Sequence, residues 1–298
     1  ILEDGHYGLA DVKKRILEYL AVRLMKQDAK GSVLLLVGPK GVGKTSIGKS
    51  VAEAMGKPFY RFSVGGIYDE SEIKGHRRTY IGSMPGKIIS GIKLTQSKAP
   101  VFMIDEVDKM SASYHGDPSA ALLEVLDPEQ NIAFRDTYMD LPFDVSNVFF
   151  ILTANTLDTI PDPLLDRAEI IELSGYVDQE KIEIAKKYII PKNLQKNGLK
   201  KNQVKFTNQV LMEIAKEYAR ESGVRHYEKC IDKINRKIVT ELITEAEKIS
   251  DEDNEAKKVI LERKITIDVS NLQKYLGKPD FDESEIKAAS VPGTAIGL

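Results

Sequence analysis

The sequence lacks the features that mark membrane, secreted and zinc-dependent proteins. It has a single cysteine, Cys230, so no disulfide can form within the chain, which suits a reducing compartment. No apolar run approaches the roughly 20 residues of a membrane helix, and the N-terminus has no signal-peptide pattern. Neither H-E-x-x-H nor paired C-x-x-C motifs occur, so a zinc site is not expected. No G-x-S-x-G elbow or other convincing peptidase nucleophile is found.

An excess of charge of one sign is also missing. The net charge is −2, so no global basic field argues for nucleic acid. Hydrophobic residues make up 42% and charged residues 30% of the chain, an ordinary globular composition. With 298 residues, the chain is long enough for two domains. Its function must therefore be inferred from motifs.

The most informative motif is a phosphate-binding loop. Residues 38–45 read Gly-Pro-Lys-Gly-Val-Gly-Lys-Thr and fit the G-x-x-x-x-G-K-[ST] pattern. The apolar run Val33–Val37 precedes them with the length of a buried strand, and residues 46–52 can continue as a helix. Glycines let backbone N–H groups wrap around phosphate oxygens, while Lys44 can reach the β- and γ-phosphates and the Thr45 hydroxyl can ligate Mg²⁺. The pattern predicts nucleotide contacts from Gly38, Pro39, Lys40, Gly41, Val42, Gly43, Lys44, Thr45 and Ser46.

A second apolar stretch ends in two acids. Residues 100–109 read P-V-F-M-I-D-E-V-D-K, in which Asp105 and Glu106 follow a buried-strand pattern. Because burying an unpaired charge costs free energy, these two carboxylates are expected to interact with a partner group or an ion. Asp105 can hold Mg²⁺ through water, and Glu106 can orient and polarise the attacking water, which indicates hydrolysis rather than binding alone. The alternative is that the acids cap a following helix.

Three more polar residues are candidates for the same site. Asn155 follows an apolar strand pattern and is expected beside Asp105 and Glu106, where its amide can hydrogen-bond the attacking water or the γ-phosphate; the alternative is a turn residue. Arg167 follows a short, proline-bounded helix and can stabilise charge on a transferring phosphoryl group, in the same or a neighbouring subunit, or else form a surface salt bridge. Arg225 opens a long helix of the second domain, from which it could link hydrolysis to domain motion.

Residues 73–86 form a basic loop of unusual composition. It sets three cations and an imidazole beside the pair Tyr80 and Ile81, with glycines on either side. The loop could contact nucleic acid, with Tyr80 stacking on bases. It could be a mobile finger whose Tyr80–Ile81 tip grips polypeptide, or a solvated loop with one anchored tyrosine. Composition leaves the three interpretations open.

Strand and helix patterns alternate up to about Gly175, which predicts a parallel α/β sheet. The pattern predicts a helix over residues 9–25 and strands over 33–37, 59–64, 101–104, 148–153 and 170–173. Beyond Gly175 it predicts helices over 181–190, 209–221 and 227–249, short strands near 259–260 and 265–267, and a charged solvated loop over 251–258. The predicted domains are a nucleotide-binding core with a helical entry segment (1–175), a smaller helical domain (176–278) and a linker (279–298).

Together these motifs resemble the AAA+ ATPase module of Lon proteases along essentially the whole chain. The most specific stretches are the block at residues 116–131 and the G-H-R-R-T-Y loop, which general AAA+ proteins do not carry. The remaining stretches that carry the resemblance are residues 6–9, 16–22, 38–45, 103–109 and 220–225. The resemblance implies an α/β P-loop core with a parallel sheet, followed by a smaller, mostly α-helical lid. It further implies a hexameric ring of this chain with ATP or ADP and Mg²⁺ at the subunit interfaces.

The resemblance also implies roles for residues of the nucleotide site. Tyr7 and Gly8 match the adenine-side entry segment, and Tyr188 matches a lid tyrosine near the base. Asn155 matches sensor 1, Arg167 the trans-acting arginine finger and Arg225 sensor 2.

For the ring's central pore, the resemblance implies two loops. Tyr80 and Ile81 match the first pore loop, which grips an unfolded chain, and residues 111–117 fall where the second lies. One residue departs from the family pattern, since Lys40 stands where a proline is usual. Its backbone N–H can still donate, so we expect the change to be tolerated.

The expected function is that of the ATPase and unfoldase-translocase module of an ATP-dependent Lon protease, which threads protein substrates toward a peptidase domain. The chain stops at Leu298, where the family's serine–lysine peptidase domain would begin, so no peptide-bond cleavage is expected from it. The expected location is the bacterial cytoplasm, or the mitochondrial matrix if the source is eukaryotic, without membrane partners. An AAA+ DNA-remodelling ATPase is the alternative that the basic loop motivates. A further alternative is an adaptor that binds ATP without useful turnover.

Overall fold

A computed structural model describes residues 1–25, 33–110, 116–249 and 253–281, with backbone only at residues 23 and 24. Most of the segment expected to be the second pore loop, residues 111–115, lies outside these ranges. The chain divides into two units, Ile1–Ser174 and Gly175–Leu298.

The first unit is built on a parallel sheet. The strands of the first unit are β1 (Val33–Val37), β2 (Phe59–Ser63), β3 (Val101–Asp105), β4 (Phe134–Arg135), β5 (Pro142–Phe143), β6 (Phe149–Ala154) and β7 (Ala168–Glu172). In the described part of the chain, five strands form this sheet in the order β2-β3-β6-β1-β7, and every neighbouring pair is parallel. β4 and β5 pair separately as a short antiparallel hairpin. The predicted α/β fold is confirmed.

The central strands are buried on both faces. Every residue of β1, β3 and β6 is buried, as expected for a parallel sheet with helices on each side. Phe102 and Phe150 meet edge to face in the core, with ring centroids 6.1 Å apart. This packing fixes the strands whose ends carry the candidate site residues.

Helices lie between the strands of the first unit. They are α1 (Leu2–Gly5), α2 (Ala10–Met25), α3 (Lys44–Ala54), α4 (Ser71–Lys74), α5 (Lys87–Thr95), α6 (Pro118–Leu126) and α7 (Asp162–Leu165), with 3₁₀ turns at Val107–Lys109 and Asn131–Ala133. Asp117 caps α6 by accepting a hydrogen bond from the backbone N–H of Ser119 at 2.8 Å. A methyl group added at Gly91 of α5 would overlap the rings of Tyr60 and Phe102, so this helix packs closely on the sheet.

The second unit is mainly helical. Its helices are α8 (Asp178–Ile184), α9 (Ile190–Lys196), α10 (Asn208–Glu213), α11 (Arg225–Glu247), α12 (Asn254–Leu261) and α13 (Val269–Leu276), with π-helical turns at Ala185–Ile189 and Ile214–Tyr218. β8 (Val204–Phe206) and β9 (Ile265–Ile267) form a parallel pair. α11 buries Tyr227, Ile231, Ile234 and Ile238 at helical spacing. Among the described residues, no helix has both the length and the apolar character required to cross a bilayer.

Some sequence predictions for the second unit are wrong. The strand predicted near residues 259–260 lies in α12, and so do residues 254–258 of the predicted charged loop. Asp253 caps this helix by accepting from the backbone N–H of Ala256 at 3.0 Å, a local signal that overrides the β propensity of Val259 and Ile260. β9, which was predicted near residues 265–267, pairs with β8, a strand that the sequence analysis missed. The helix predicted to reach residue 221 ends at Tyr218, after a π-helical turn.

We expect Phe150→Ala to destabilise the first unit by about 3–5 kcal/mol, because it leaves a cavity at a fully buried position of the central strand. Denaturant unfolding would measure the loss. The control is Leu94→Ala, at a side chain that is 71% exposed, with an expected change within about 0.5 kcal/mol. Equal losses in the two variants would contradict this account of the core.

Candidate functional site

The carboxyl ends of three neighbouring strands meet at one edge of the first unit's sheet. β6 lies between β3 and β1, so Ile151 pairs with both Met103 and Leu34. The phosphate-loop sequence follows β1, Asp105 ends β3 and Asn155 follows β6. Because these strands are parallel, the residues at their ends collect along one edge.

The backbone of the phosphate loop depends on its glycines. Gly38, Gly41 and Gly43 have φ angles of 155°, 86° and 97°, which only glycine adopts without strain. At Gly38 a side chain would also overlap the carbonyl group of Leu173. α3 begins directly after the loop, at Lys44. The loop therefore curls around the N-terminus of a helix of 11 residues, an arrangement suited to binding anions.

The Lys44 ammonium lies across the mouth of this loop. It donates to the carbonyl oxygens of Gly38 and of Pro39, the latter at 3.1 Å, and to Asn155 Oδ1 at 3.3 Å. Burial lowers the pKa of Lys44 below its ordinary value, and this effect exceeds the opposing attraction of Asp108 and the neighbouring acids. A partly desolvated cation is thus held where the strand ends converge.

Asp105 is a buried carboxylate with two partners. Its Oδ1 accepts from the Thr153 hydroxyl at 2.8 Å, and its Oδ2 forms an ion pair with Arg61 of β2. The same hydroxyl accepts from the backbone N–H of Glu106 at 3.2 Å. Thr153 therefore ties the end of β3 to β6 and sets the position of both acids.

Glu106 has a strained backbone. Its φ of 62° and ψ of 44° are left-handed, an uncommon conformation for a residue with a side chain. The turn exposes 41% of the carboxylate side chain, which pairs with Lys109. Gly65 comes so close that a methyl group there would overlap the Glu106 side chain. Since Glu106 makes no side-chain cap of the following 3₁₀ turn, the helix-capping alternative does not apply to it.

Asn155 links Lys44 to a third acid. Its Oδ1 accepts from Lys44 and its Nδ2 donates to Asp108 Oδ2 at 3.1 Å. Asp108 lies in the 3₁₀ turn that follows Glu106. The structure thus brings together Lys44, Asp105, Glu106 and Asn155, and adds Asp108.

Arg167 is held by an ion pair within the chain. Its guanidinium donates to Asp127 Oδ2 at 2.8 Å and to the Pro163 carbonyl at 3.2 Å, and its side chain is 35% exposed. Asp127 also accepts from the Glu129 backbone at 3.0 Å and from Gln130 Nε2 at 2.9 Å. The Glu129 N–H and Arg167 lower the pKa of Asp127, so the pair stays charged.

The basic loop is held at its base by hydrogen bonds, whereas its tip, formed by Tyr80 and Ile81, is exposed. Tyr80 is 61% exposed and Ile81 is fully exposed, so the interpretation of an anchored tyrosine does not fit. Arg78 donates to the Tyr138 carbonyl at 2.5 Å and lies 5.1 Å from the centre of that ring. Its hydrogen bond ties the loop to the β4–β5 hairpin segment.

Asp136 anchors the end of the same loop. It is fully buried and accepts from the backbone N–H groups of Gly86 at 2.7 Å and of Tyr138 and Met139, both at 2.9 Å. Gly75 lies against this carboxylate, since a side chain there would overlap it. The tip therefore projects from a rigid base.

The remaining predicted residues lie in both units. Thr45 and Ser46 are in the first turn of α3. Tyr7 is half-buried and Gly8 has a φ of 62°, in the segment between α1 and α2. Tyr188 lies in a π-helical turn and Arg225 is the first residue of α11, both in the second unit.

Sequence reasoning missed several residues that organise the site. Thr153 and Asp108 each lie within three positions of a predicted residue, and strand pairing alone would have brought Thr153 to Asp105. Arg61 alternates with apolar neighbours on β2, so it resembled an ordinary solvent-facing residue. Asp127 lies 40 residues from Arg167, and Asp136 lies 50 residues from Gly86, so no local pattern indicates these two contacts.

Comparisons with known proteins agree with this geometry. Residues 34–176 match the family described as "ATPase family associated with various cellular activities (AAA)", and residues 195–251 match the "Lon protease AAA+ ATPase lid domain". The chain is similar over its full length to the Lon proteases of Treponema pallidum (57% identical), Borrelia duttonii (55%) and Magnetococcus marinus (54%). It spans about a third of the length of these relatives, between 32% and 35%.

The fold and the site define a nucleotide-binding ATPase of the AAA class. The lid match and the full-length similarity to Lon proteases narrow this class further. The chain belongs to the Lon protease family and corresponds to its AAA+ ATPase module. These matches do not favour a DNA-remodelling ATPase.

We expect Lys44→Met to leave the free energy of unfolding at neutral pH unchanged or raised, because it removes a cation that burial disfavours. The wild type should recover relative to the variant as the pH rises from the lowered Lys44 pKa towards 10.5, the ordinary value. Thermal unfolding of both chains across alkaline pH measures this difference, with Lys49→Met, at an exposed lysine of the same helix, as control. A variant that is less stable than the wild type at neutral pH, by a deficit that shrinks as the pH rises, would contradict the burial of a disfavoured cation at Lys44.

Proposed function

We propose that the chain hydrolyses ATP with Mg²⁺ and uses the energy to move protein substrates toward a peptidase domain. The observation that carries the proposal is the convergence of Lys44, Asp105, Glu106 and Asn155 at one edge of the sheet, beside a glycine loop that opens a helix. An adaptor that only binds ATP would not need Glu106 held in a strained turn.

The residues present fit a magnesium nucleotide. The loop glycines leave backbone N–H groups free of side chains, and the start of α3 favours phosphate. The Thr45 hydroxyl and the Asp105 carboxylate are the hard oxygen donors that would hold Mg²⁺. When bound, the ion neutralises charge on the β- and γ-phosphate oxygens.

Lys44 would exchange its contacts with the loop carbonyls for phosphate oxygens. Because Lys44 also donates to Asn155, the Asn155 amide would contact the same phosphate as Lys44. On the adenine side we assign Tyr7 and Gly8, together with Tyr188 of the lid. Lys40 would contribute its backbone N–H, as the other loop residues do.

Glu106 would act as the general base. Its carboxylate is partly exposed at the end of β3, where it can accept a proton from a water molecule that attacks the γ-phosphate. The pairing with Lys109 can be released without unfolding, since both side chains are at least 40% exposed.

Catalysis would be shared between subunits of a hexameric ring. The ion pair with Asp127 holds Arg167 in a fixed orientation, and about a third of the Arg167 side chain is exposed. An exposed guanidinium in a fixed orientation could reach the nucleotide of a neighbouring subunit. Arg225, at the start of α11, would couple the nucleotide to motion of the lid. The domains would be a core (1–175), a lid (176–278) and a linker (279–298), in a cytoplasmic protein.

The loop that carries Tyr80 and Ile81 would grip the substrate. An exposed aromatic and an exposed aliphatic side chain on a pinned base can hold varied polypeptides. Since Arg78 contacts Tyr138, it is less available to phosphates of DNA.

We expect Glu106→Gln to keep ATP binding but to lower turnover by about 10²- to 10⁴-fold, as loss of a general base does. Binding of a fluorescent ATP analogue and steady-state phosphate release are the two measurements. Lys44→Ala should lose binding itself, and Asp158→Asn, at an exposed acid, serves as control. Normal turnover in Glu106→Gln would contradict the assignment of Glu106 as the general base.

We expect Tyr80→Ala to weaken binding of an unfolded polypeptide by about tenfold, since loss of a buried aromatic contact costs on the order of 1–3 kcal/mol. Fluorescence anisotropy of a labelled unfolded protein, with ATP and the Glu106→Gln background to prevent turnover, would measure the affinity. Leu94→Ala, at another exposed apolar side chain, is the matched control. Equal affinity for both variants would count against the loop as the substrate contact.

A further inference from the structure

We propose that Asp108 is a positioning residue that fixes the orientation of the Asn155 side-chain amide beside Lys44. The amide lies at the site assigned above to ATP, so the catalytic consequence rests on the proposed function. The orientation itself does not, because it is a property of the chain without nucleotide.

Asn155 is held from two sides by groups of opposite charge. On one side Asp108 Oδ2 lies 3.1 Å from Asn155 Nδ2. On the other side the Lys44 ammonium lies 3.3 Å from Asn155 Oδ1. The amide thus bridges a carboxylate and an ammonium group.

Hydrogen-bonding capacity selects this orientation. An ionised carboxylate only accepts hydrogen bonds, and an ammonium group only donates them. A flipped Asn155 would set its oxygen against Asp108 and its NH₂ group against Lys44, so both hydrogen bonds would become repulsive contacts. The assignment of oxygen and nitrogen therefore follows from the chemistry of the neighbours.

The chain places Asp108 firmly. Glu106 adopts the left-handed conformation that ends β3 and starts the 3₁₀ turn Val107–Lys109. Val107 is 1% exposed and packs into the core, which leaves Asp108 facing β6. Thr159 then donates its hydroxyl to the Asp108 carbonyl at 2.6 Å. A carboxylate held in this way can orient a neighbour at little further entropic cost.

Orientation leaves one amide hydrogen available. Asn155 Nδ2 carries two hydrogens, and one of them is used by Asp108. The other can donate to a phosphate oxygen or to the attacking water. Asp108 also attracts the Lys44 ammonium. Its second oxygen, Oδ1, is buried and has no hydrogen-bond partner within the described residues, so it adds no competing constraint.

Side-chain amide NMR of the ¹⁵N-labelled chain, without nucleotide, tests the orientation directly. The Asn155 resonances are identified by their loss in Asn155→Ala. We expect one Nδ2 hydrogen to be shifted downfield by the charged acceptor and to move upfield in Asp108→Ala. Asp108→Asn, which keeps the size of the side chain but removes its charge, should give a smaller upfield shift and carries the test if Asp108→Ala does not fold. The control Asp158→Asn should leave the resonance in place.

An unchanged Asn155 resonance in both Asp108 variants would overturn the proposal, whatever the ATPase activity of the chain. If ATP turnover were absent while the resonance moved as expected, the proposed function would fail and the orientation would stand. The two failures are therefore distinguishable.

A double-mutant cycle tests the catalytic consequence. We expect Asp108→Ala to lower kcat by roughly 10- to 100-fold, as loss of an orienting partner does, with little change in nucleotide affinity. In an Asn155→Ala background the same substitution should have almost no further effect. Additive losses with a lowered melting temperature would show a merely structural role and would contradict the proposal.

Discussion

The parallel pairing of β3, β6 and β1 is the constraint on which the rest of the structure depends. It sets the ends of three strands side by side, so that a glycine loop, two acids and an amide meet although more than a hundred residues separate the first from the last. Each strand is mainly apolar, and every one of its residues is buried. The same burial that stabilises the sheet holds the polar groups at its edge in register.

Within that frame, short polar contacts set the orientation of each side chain. The Thr153 hydroxyl joins Asp105 to the backbone of Glu106, and Asn155 joins Lys44 to Asp108. These contacts bridge β3 and β6, so the site is rigid where neighbouring strands are rigid. The basic loop that carries Tyr80 is likewise oriented by a polar contact. The buried Asp136 fixes the base of this loop, and the tip stays exposed.

The sequence predicted the sheet, and the convergence of Lys44, Asp105, Glu106 and Asn155 at its edge, for a physical reason. Phosphate loops and strand-end acids are local patterns, and Lys44, Asp105 and Asn155 each follow an apolar strand. The partners of these residues were not predictable in the same way. Asp127 meets Arg167 across 40 residues, and Asp136 meets Gly86 across 50. In the lid, a helix cap at Asp253 outweighed the β propensity of Val259 and Ile260, and the three-residue strand β8 was missed.

The central claim is that this chain hydrolyses ATP at a site completed by its neighbour. Steady-state ATP turnover per chain, measured with Mg²⁺ over increasing protein concentration for the wild type and for Arg167→Ala, tests it most directly. The account predicts a wild-type rate that climbs with concentration to a plateau, and a low rate at every concentration for the variant. A rate that is independent of concentration and equal in the two chains would contradict it.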